Sequence, residues 1–272
     1  MTTDVASKSL LELISLTGRT AVVTGGTSGI GLATAHRFAE AGATVVLAGR
    51  NEQRGQKALA ELPSEAGQTH SFMPFDIADP AAIAATVAAI VARHGAIHIW
   101  ANIAGIYPLQ DTLSVAPEQW HQVIATNLSG TFFAAREAAR QMKAQGTGGV
   151  IINTHSTGAH NTPPGGMAAY VASKGGVKAL TKTLAHEFGP AGIRVLAVSP
   201  TMTATEGIER QAVDLKQLTG LDDAPAMFAS RLPLRRVATP DDVARVFFFA
   251  ASDLSLIMTG SELAADAGEL VM

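Results

Sequence analysis

The stretch TGGTSGIG, residues 24–31, decides the fold of this chain. It holds four glycines in eight residues and lies between an apolar run, residues 20–24, and a run with helical spacing that begins at Ile30. Glycine permits tight turns with positive φ and leaves no Cβ between the backbone and a bound group. The N-terminus of the following helix offers free N–H donors and the positive end of a dipole to an anion. This strand–turn–helix therefore predicts a binding site for a pyrophosphate group.

The elements around this loop carry more information than its glycines do. Position 34 is Thr, so the loop lacks the last glycine of the general dinucleotide fingerprint G-x-G-x-x-G, and no Gly-Lys-Ser/Thr follows that would indicate a P-loop. A plain β–α turn is the alternative interpretation of a glycine loop alone. A strand directly before the loop and a helix directly after it favour dinucleotide binding.

Short apolar runs alternate with longer alanine-rich runs along the chain. The apolar runs are nearly continuous, as expected for parallel strands covered on both faces. Predicted strands span 20–24, 44–48, 71–75, 97–101, 150–154, 193–198 and 261–265, and predicted helices span 30–41, 52–62, 81–94, 118–145, 168–188 and 239–251. The alternation predicts right-handed βαβ units and one α/β domain, residues 16–272, with a doubly wound, Rossmann-like parallel sheet. Residues 1–15 are predicted to form an N-terminal leader.

Composition narrows the class of protein. The chain has 272 residues, 47% of them hydrophobic, which is enough to bury the core of one large domain. The net charge is -3 and there is no basic stripe, so we expect no nucleic-acid partner. The absence of cysteine excludes disulfides and thiolate chemistry. No apolar segment approaches the roughly 20 residues that span a bilayer, so we expect a cytoplasmic protein without a membrane partner.

One long segment, residues 201–237, breaks the alternation. It follows Pro200, contains prolines at 225 and 233, and has scattered apolar residues. A stretch of this length inside a compact domain is typically a substrate lid or a binding loop. An ordinary helical insertion packed on the body is the alternative, and the two interpretations are compatible.

The end of the second predicted strand indicates which dinucleotide binds. An acidic residue about 20 residues beyond the glycine loop binds the ribose hydroxyls of NAD, whereas an arginine accommodates the 2′-phosphate of NADP. Arg50 stands at this place, followed by Asn51, so the sequence favours NADP(H), with NAD(H) as the alternative. Ser28 adds no second positive charge to the loop, and a plain surface charge is the competing interpretation of Arg50.

Two side chains suited to proton transfer lie four residues apart. Tyr170 and Lys174 would share one face of a helix, and Ser156 follows just beyond the predicted strand 150–154. Ligands of open α/β sheets bind at the carboxyl ends of the strands, so we expect Ser156 to meet Tyr170 there. A tyrosine–lysine pair alone is also typical of an amphipathic surface helix.

Taken in order, these motifs resemble the short-chain dehydrogenase/reductase family from about residue 16 to the C-terminus. The matching segments are TGGTSGIG at 24–31, FDI at 75–77, NIAG at 102–105, TNLSG around Asn127, Ser156, the pair Tyr170 and Lys174, and SPTMTAT at 199–205. Several such segments in the family's order are far more specific than any one of them.

The resemblance implies roles for particular side chains. The catalytic tetrad would be Asn127, Ser156, Tyr170 and Lys174. The cofactor would contact Gly25, Thr27, Ser28, Gly29, Ile30 and Gly31 in the loop, Arg50 and Asn51, Asp76 and Ile77 beside the adenine, Asn102, Ala104 and Gly105, the pair Tyr170 and Lys174, and Pro200, Thr203 and Thr205 at the carboxamide. The substrate would be bordered by Ile106, Tyr107, His160 and Met167. The family also implies a homo-oligomer, commonly a tetramer.

Three features depart from the family's usual pattern. Ile103 replaces the second asparagine of an NNAG motif, and Thr201 replaces the glycine that usually follows Pro200. The interval from Ser156 to Tyr170 is one residue longer than is common. None of the three removes a reacting group, but the last two are expected to reshape the pocket.

The sequence therefore predicts an NADP(H)-dependent oxidoreductase that interconverts a ketone and a secondary alcohol by hydride transfer, with Tyr170 as general acid and base. The positive charge of Lys174, together with the oxidised nicotinamide ring, is expected to lower the pKa of the phenol, which is ordinarily about 10. A 3-oxoacyl-type reductase or an NAD-dependent alcohol dehydrogenase is the alternative within the family. A non-catalytic NAD(P)H-binding sensor or scaffold is the alternative of another class.

Histidine motifs elsewhere in the chain give weaker evidence of a functional site. The pair 186–187 (His-Glu) lacks the second histidine of a zinc-protease signature, and Gly95 is expected to end a helix between His94 and His98. No metal site is predicted. His155 is expected to point away from the site, as a packed or solvated histidine.

Overall fold

A single sheet of parallel strands organises the chain. The computed structural model describes residues 7–65, 67–161, 165–211, 216 and 223–272. Within these residues the strands are β1 Thr20–Thr24, β2 Thr44–Gly49, β3 Ser71–Pro74, β4 Ile99–Asn102, β5 Gly149–Thr154, β6 Ile193–Pro200 and β7 Glu262–Ala265. Their order in the sheet is β3-β2-β1-β4-β5-β6-β7, and each neighbouring pair is parallel. The predicted doubly wound, Rossmann-like fold is confirmed.

Helices cover both faces of this sheet, as crossovers between parallel strands require. The described helices are α1 Leu10–Ile14, α2 Gly29–Glu40, α3 Glu52–Glu61, α4 Pro80–His94, α5 Pro117–Ile124, α6 Gly130–Gln145, α7 Ala168–Phe188, α8 Glu206–Arg210, α9 Ala224–Arg231 and α10 Pro240–Ala251. On one face, α2 and α10 pack around the buried rings of Phe38 and Phe247. On the other face, α4, α6 and α7 pack around Trp100 and Met142. The apolar strands are thereby buried from both sides.

The strand order reverses beside β1. Thr24, the last residue of β1, pairs with Ala48 of β2 on one side and with Asn102 of β4 on the other. The chain runs outward from β1 to β3 and then crosses back to β4. Such a reversal opens a crevice at the carboxyl ends of the strands, where ligands of doubly wound folds bind.

The predicted helix over residues 118–145 is interrupted in the structure. α5 continues into a π-helical turn at Ala125–Ser129, and α6 begins directly after it. A π turn places an extra residue in the helix and is frequent at functional sites. This one contains the fully buried Asn127. The sequence pattern did not reveal the turn, because helical spacing continues on both sides of it.

The other element boundaries lie within two residues of the predicted ones. β4 begins two residues later than predicted, at Ile99, and β6 continues to Pro200. The predicted N-cap of α10 is confirmed, because Thr239 Oγ1 accepts a hydrogen bond from Asp242 N at 3.1 Å, with Pro240 at the first helical position.

The predicted leader, residues 1–15, is only partly covered, since residues 1–6 lie outside the described residues. The remainder holds α1, and Lys8 Nζ lies 2.8 Å from Asp253 Oδ2. Leu16, directly after the predicted leader, is fully buried in the core. In the described part of the chain, no helix has both the length and the apolar character needed to cross a membrane.

The predicted lid, residues 201–237, contains α8 and α9. Residues 212–215 and 217–222 of this segment lie outside the described residues. Its two ends meet in a β-bridge between Thr203 and Ala238, so the segment leaves the body and returns at one place.

Candidate active site and cofactor cleft

The glycine loop turns tightly beneath the N-terminus of α2. Gly25 has a φ of 68°, and its N–H donates to Ala48 O at 2.9 Å. A Cβ on Gly25 would lie 2.9 Å from Ala104 Cα, and a Cβ on Gly31 would lie 2.2 Å from Gly25 O. These two glycines therefore let backbone pack directly on backbone. Ile30, between them in the first turn of α2, packs against the apolar core.

Gly31→Ala is expected to lower the free energy of unfolding by about 1–3 kcal/mol, because the added methyl group would overlap a backbone oxygen. Gly175→Ala is the matched control. Gly175 lies within α7, where a Cβ would meet nothing within 4 Å, and alanine favours a helix over glycine by up to about 1 kcal/mol. Urea unfolding measures both variants, and equal stability of the two would contradict the close packing of loop and helix.

The N-terminus of α2 faces the end of β2. Ser28 is the N-cap of α2, and its side chain accepts no hydrogen bond from the helix. Thr27 lies beside Gly49, where a Cβ would be 3.4 Å from the Thr27 methyl group. Arg50 is exposed just beyond, and Asn51 caps α3 through its side chain. Free N–H groups and an exposed guanidinium thus lie at one end of the cleft.

The segment after β3 packs on the start of α6. Asp76 is exposed, and its Oδ1 accepts a hydrogen bond from Ala78 N at 2.9 Å. Ile77 is buried, and a Cβ on Gly130 would lie 2.4 Å from Ile77 O. Glycine at the first position of α6 therefore permits this close approach.

A chain of buried polar side chains connects β4, β5 and α7. Asn102 Oδ1 accepts from Trp100 Nε1 at 2.8 Å, and Asn102 Nδ2 donates to Asn153 Oδ1 at 2.9 Å. Asn153 Nδ2 donates in turn to Thr181 Oγ1 at 3.0 Å. The side chain of Asn102 is thus used in stabilising the central strands. Sequence reasoning missed Asn153 and Thr181, although a lone asparagine inside the apolar run VIINT was an available signal.

Thr24, at the end of β1, holds the backbone that follows β4. Its Oγ1 accepts from Ile103 N at 3.0 Å and from Ala104 N at 3.2 Å, and it donates to Ala101 O at 3.3 Å. The side chain of Ile103, the departure from the NNAG motif, packs against the apolar core. The substitution therefore leaves the backbone contacts of the motif in place.

The π turn brings Asn127 to the loop after β4. Asn127 Oδ1 accepts from Ile106 N at 2.9 Å, and Nδ2 donates to Ile106 O at 2.8 Å and to Ser173 Oγ at 3.2 Å. Ser173 Oγ donates to Tyr170 O at 2.6 Å. Asn127 thus connects the loop that carries Ile106 to the helix that carries Tyr170. Ser173 was not identified from the sequence.

Lys174 is buried beside Gly105. Its Nζ donates to Thr154 O at 2.8 Å, and a Cβ on Gly105 would lie 3.8 Å from Nζ. Glycine at 105 therefore keeps space open next to the ammonium group. Desolvation lowers the pKa of Lys174 to about 8. At pH 7 the side chain is still mainly charged.

The structure brings Tyr170 and Ser156 together. Desolvation raises the pKa of the Tyr170 phenol, a hydrogen bond with the Ser156 side chain acts to lower it, and Tyr107 acts to raise it. The rings of Tyr107 and Tyr170 meet edge to face with centroids 6.2 Å apart. Lys174 Nζ lies 5.7 Å from the Tyr170 ring centroid. In the protein alone the pKa of Tyr170 is therefore raised, and the lowering expected from Lys174 does not appear.

Threonines at the end of β6 hold the start of the lid. Thr157 Oγ1 donates to Pro200 O at 3.3 Å, and Thr203 Oγ1 donates to Thr201 O at 2.9 Å. Thr201 Oγ1 donates to the buried carboxylate of Glu269, close to the C-terminus. The threonine that replaces the usual glycine is therefore accommodated, because its hydroxyl has a buried acceptor.

Thr205 brings α8 against the N-terminus of α2. Its Oγ1 accepts a hydrogen bond from Ile208 N at 3.4 Å and so caps α8. A Cβ on Gly29, which has a φ of 52°, would lie 3.4 Å from the Thr205 methyl group. A cavity of about 580 Å³ opens between α2, α8 and the start of α10 and includes both residues. The glycine loop and the lid therefore share one cleft.

Two of the residues predicted to border the substrate lie beside Tyr170. Tyr107 packs on its ring, and Met167 is the N-cap residue of α7, one turn earlier. His160 instead contacts the edge strand β7, where its Nε2 lies 2.6 Å from Glu262 Oε1.

His94 and His98 have separate partners. Gly95, with a φ of 81°, ends α4 between His94 and His98, as predicted. His94 Nε2 lies 2.8 Å from Ser71 Oγ, and His98 Nδ1 accepts from Thr20 N at 3.0 Å. In the described part of the chain, no group of three or more histidine, aspartate and glutamate side chains is arranged to hold a metal ion.

Comparison with known proteins identifies the family. Residues 25–269 match the family model described as Enoyl-(Acyl carrier protein) reductase. The chain is 36% identical to the short chain dehydrogenase/reductase astE of Aspergillus oryzae, over 94% of this chain and 97% of that protein. The chain belongs to the short-chain dehydrogenase/reductase family. It is an oxidoreductase of the kind that acts on hydroxy and keto groups and binds NAD(P).

Other members of the short-chain dehydrogenase/reductase family match over nearly the same length. The chain is 36% identical to a 3beta-hydroxysteroid dehydrogenase of Mediterraneibacter gnavus, over 91% of this chain and 93% of that protein. It is 34% identical to the 3-oxoacyl-[acyl-carrier-protein] reductase FabG of Chlamydia pneumoniae, over 94% and 98%.

Solved structures of the family have the same fold. A short-chain type dehydrogenase/reductase from Mycobacterium marinum superimposes with a TM-score of 0.85 at 34% identity, covering 96% of this chain and 98% of that one. A single-site variant of actinorhodin polyketide ketoreductase with NADPH superimposes with a TM-score of 0.86 at 32% identity, covering 93% and 97%.

Proposed function

We propose that this short-chain dehydrogenase/reductase interconverts a ketone and a secondary alcohol with NADP(H), with Tyr170 as general acid and base. The observation that carries the proposal is the contact of the desolvated Tyr170 phenol with Ser156, just beyond β5, and the buried Lys174 one turn along the same helix. A non-catalytic sensor or scaffold would need none of these three groups in contact. Asn127 would complete the tetrad.

The cleft fits a dinucleotide. Gly25 and Gly29 have positive φ, and the first N–H groups of α2 are not capped by the Ser28 side chain, so these groups would hold the pyrophosphate. Gly105 leaves space beside Lys174 that a Cβ would fill. A bound NADP(H) would supply or accept the hydride. The other residues that would hold it are Thr27, Ile30, Gly31, Arg50, Asn51, Asp76, Ile77, Asn102, Ala104, Tyr170, Pro200, Thr203 and Thr205.

In the reducing direction, Tyr170 would give its hydroxyl proton to the carbonyl oxygen of the ketone, and Ser156 Oγ–H would donate a hydrogen bond to the same oxygen. Burial of Tyr170 favours ketone reduction, because the raised pKa keeps the phenol protonated until it reacts. From the ordinary pKa of about 10, the phenolate left behind needs about 4 kcal/mol of preferential stabilisation to exist at neutral pH, and burial adds to this requirement. The nearby charge of Lys174 would supply part of it. In the oxidising direction the same groups act in reverse.

Asn127 would hold a water molecule that links Lys174 to solvent. Its side chain is engaged by Ile106 and Ser173, so the backbone carbonyl is the group left for the water. That carbonyl accepts from Thr131 Oγ1 at 2.7 Å, and a carbonyl oxygen has two lone pairs. The side chain itself positions the loop after β4.

Arg50 supports the preference for NADP(H) over NAD(H). It is exposed at the end of β2, next to the N-terminus of α2, where the 2′-phosphate of a bound dinucleotide would lie. One structural neighbour was solved with NADPH, which is consistent with this choice.

Arg50→Ala is expected to weaken NADPH binding by about 10- to 100-fold, because a hydrogen bond to a charged group contributes roughly 1.5–3 kcal/mol, and to leave NADH binding nearly unchanged. A fluorescence titration of both nucleotides measures this. Arg54→Ala, which removes an exposed guanidinium in the first turn of α3, is the matched control. Equal or tighter binding of NADH by the wild type would make Arg50 a surface charge and the enzyme NAD-dependent. Binding of neither nucleotide would contradict the proposed function.

Apolar residues of the lid favour a ketone with hydrophobic bulk. The described ones are Met202, Ile208, Met227 and Phe228. Within this class, relatives named as a 3-oxoacyl-[acyl-carrier-protein] reductase and a 3beta-hydroxysteroid dehydrogenase suggest two probes. Consumption of NADPH is compared with an acetoacetyl thioester, a 3-oxo steroid and pyruvate. Fastest turnover of pyruvate would contradict an apolar substrate, and no turnover of any ketone would favour a sensor or scaffold.

We also propose that the chain assembles as a homo-oligomer, with a tetramer as the expected form. Large apolar side chains are exposed in its C-terminal part, among them Leu234, Leu254, Leu256 and Ile257, which are 64%, 40%, 42% and 97% exposed. β7 is the edge strand of the sheet, and Leu234 N donates to Ala267 O, just beyond this strand, at 3.2 Å. A second copy that pairs or packs there would cover the strand edge and exposed apolar surface. We likewise propose that residues 201–237 form a lid over the substrate and that the protein is cytoplasmic.

A further inference from the structure

A carboxylate on the edge strand β7 lies between two histidines that flank Ser156. Glu262 Oε1 is 2.6 Å from His160 Nε2 and 3.5 Å from His155 Nδ1. His155 directly precedes Ser156 in the chain, and His160 lies four residues after it. One side chain therefore contacts the Ser156 segment on both sides.

Lys178 connects this cluster to α7. Its Nζ lies 2.8 Å from His160 Nδ1, so His160 accepts from the ammonium group and donates its Nε2–H to Glu262. On α7, Lys178 stands one turn beyond Lys174 and two turns beyond Tyr170. The cluster thus joins β7, the loop after β5 and the helix of the proposed catalytic pair.

The cluster runs from the buried ring of His155 to the exposed His160. His155 is 2% exposed, and the side chain of Glu262 is 20% exposed. Burial acts to raise the pKa of Glu262, but interactions with His155, His160 and Ser199 outweigh it and lower the pKa to about 2. The carboxylate is therefore ionised at neutral pH. Both ring nitrogens of His155 are buried and make no hydrogen bond within the described residues. The Glu262 carboxylate, 3.5 Å from Nδ1, is the charged group that faces this ring.

Ser156 itself lies beyond the hydrogen bonds of the sheet. The last backbone bond between this segment and β6 runs from His155 N to Val198 O at 2.8 Å. Ser156 Oγ then accepts from Gly158 N at 3.1 Å, within the same loop. The position of the serine relative to α7 therefore depends on side chains that connect the loop to other elements.

We propose that Glu262 is a positioning residue for Ser156. By holding His155 and His160, it fixes the backbone on both sides of the serine and so sets the distance between the serine hydroxyl and Tyr170. The inference rests on the proposed function, in which Ser156 orients the carbonyl oxygen of the substrate.

A double-mutant cycle tests the inference, with the ketone that the wild type reduces fastest among the acetoacetyl thioester, the 3-oxo steroid and pyruvate. Glu262→Ala is expected to lower kcat by about 10- to 100-fold, as misplacement of a catalytic group does, with NADPH affinity unchanged. In a Ser156→Ala background the same change is expected to lower kcat by less than about 2-fold, because the group it positions is already absent. If the alanine variant yields too little folded protein, Glu262→Gln replaces it in the same double-mutant cycle. Glutamine keeps the shape of the side chain and removes its charge.

Glu40→Ala is the matched control, because Glu40 also lies 3.5 Å from a histidine, His36 Nδ1, but on the exposed face of α2. It is expected to leave kcat unchanged in both backgrounds. An equal loss from the Glu262 change in both backgrounds would show a general structural role and overturn the inference, as would no loss in the wild type. Full turnover by Ser156→Ala alone, or no turnover by the wild type, would instead mark failure of the proposed function, and the inference would fall with it.

Discussion

Tyr170→Phe is expected to lower kcat by about 10²–10⁴-fold, the range that general acid–base catalysis contributes, while NADPH still binds. The change removes the hydroxyl that would carry the transferred proton and keeps the ring that packs edge to face on Tyr107. Ser156 still donates a hydrogen bond to the substrate oxygen, but no hydroxyl at position 170 remains to transfer a proton to that oxygen as the hydride arrives. Steady-state reduction of the best ketone and a separate NADPH titration measure the two quantities.

Tyr107→Phe provides the matched comparison, since it removes a hydroxyl from the neighbouring ring in the same cleft. Because Tyr107 is assigned to the substrate pocket, its loss is expected to change KM more than kcat. The comparison depends on kcat, which we expect to fall much further in Tyr170→Phe than in Tyr107→Phe. Turnover by Tyr170→Phe at the wild-type rate, with NADPH binding intact, would exclude Tyr170 as the general acid.

Lys174→Met is expected to lower turnover strongly and, at the same time, to make the protein more stable at pH 7. Burial of the ammonium lowers its pKa from 10.5 to about 8, so below pH 8 the folded state carries a charge that the unfolded state holds more easily. This disfavours folding by roughly 3 kcal/mol, offset by about 1 kcal/mol from the hydrogen bond to Thr154 O. Methionine removes both contributions, and we expect a net gain of about 1–2 kcal/mol with kcat lowered by about 10²-fold or more.

The sign of the pH dependence follows from the lowered pKa of Lys174. In the wild type, the unfolded chain binds the extra proton between pH 8 and 10.5, so stability rises with pH across that window. The stability advantage of Lys174→Met is therefore expected to shrink between these two values. Urea unfolding at a series of pH values measures it, with Lys182→Met, an exposed lysine on the same helix, as the control. A variant that is less stable than the wild type at pH 7 would contradict a desolvated ammonium.

The two predictions together describe a site that carries a cost in stability. Lys174 is held in a place that disfavours its charge, and this costs stability at neutral pH. Burial of Tyr170 disfavours its phenolate and costs no stability while the phenol stays protonated. Such costs are typical of catalytic groups, whose removal commonly stabilises a protein while abolishing its activity. A structural ion pair would show the opposite, since its removal would lower stability.

Local patterns were sufficient for the fold and for part of the site. The apolar run of β1, the glycine loop and the start of α2 follow one another directly, so their geometry depends on neighbours in the chain. The four-residue spacing of Tyr170 and Lys174 placed them one turn apart for the same reason. The cap of α10 at Thr239 was visible because capping chemistry acts within three residues.

Contacts between distant parts of the chain were not visible in these patterns. The π turn that brings Asn127 to Ile106 keeps ordinary helical spacing on either side, so no periodicity marks it. The opposed pKa directions of Tyr170 and Lys174 come from desolvation, which depends on everything packed around them.

The sequence by itself determined the doubly wound sheet, the dinucleotide loop and the side chains able to carry proton transfer, because propensity, periodicity and capping act between near neighbours. Only the tertiary structure decided that Glu262 contacts the segment of Ser156 and that Thr201 finds its acceptor in Glu269. Both contacts exist because β7 pairs beside β6 and brings the C-terminal residues to the carboxyl end of the sheet. Side chains separated by that much chain meet only through packing, which no local pattern records.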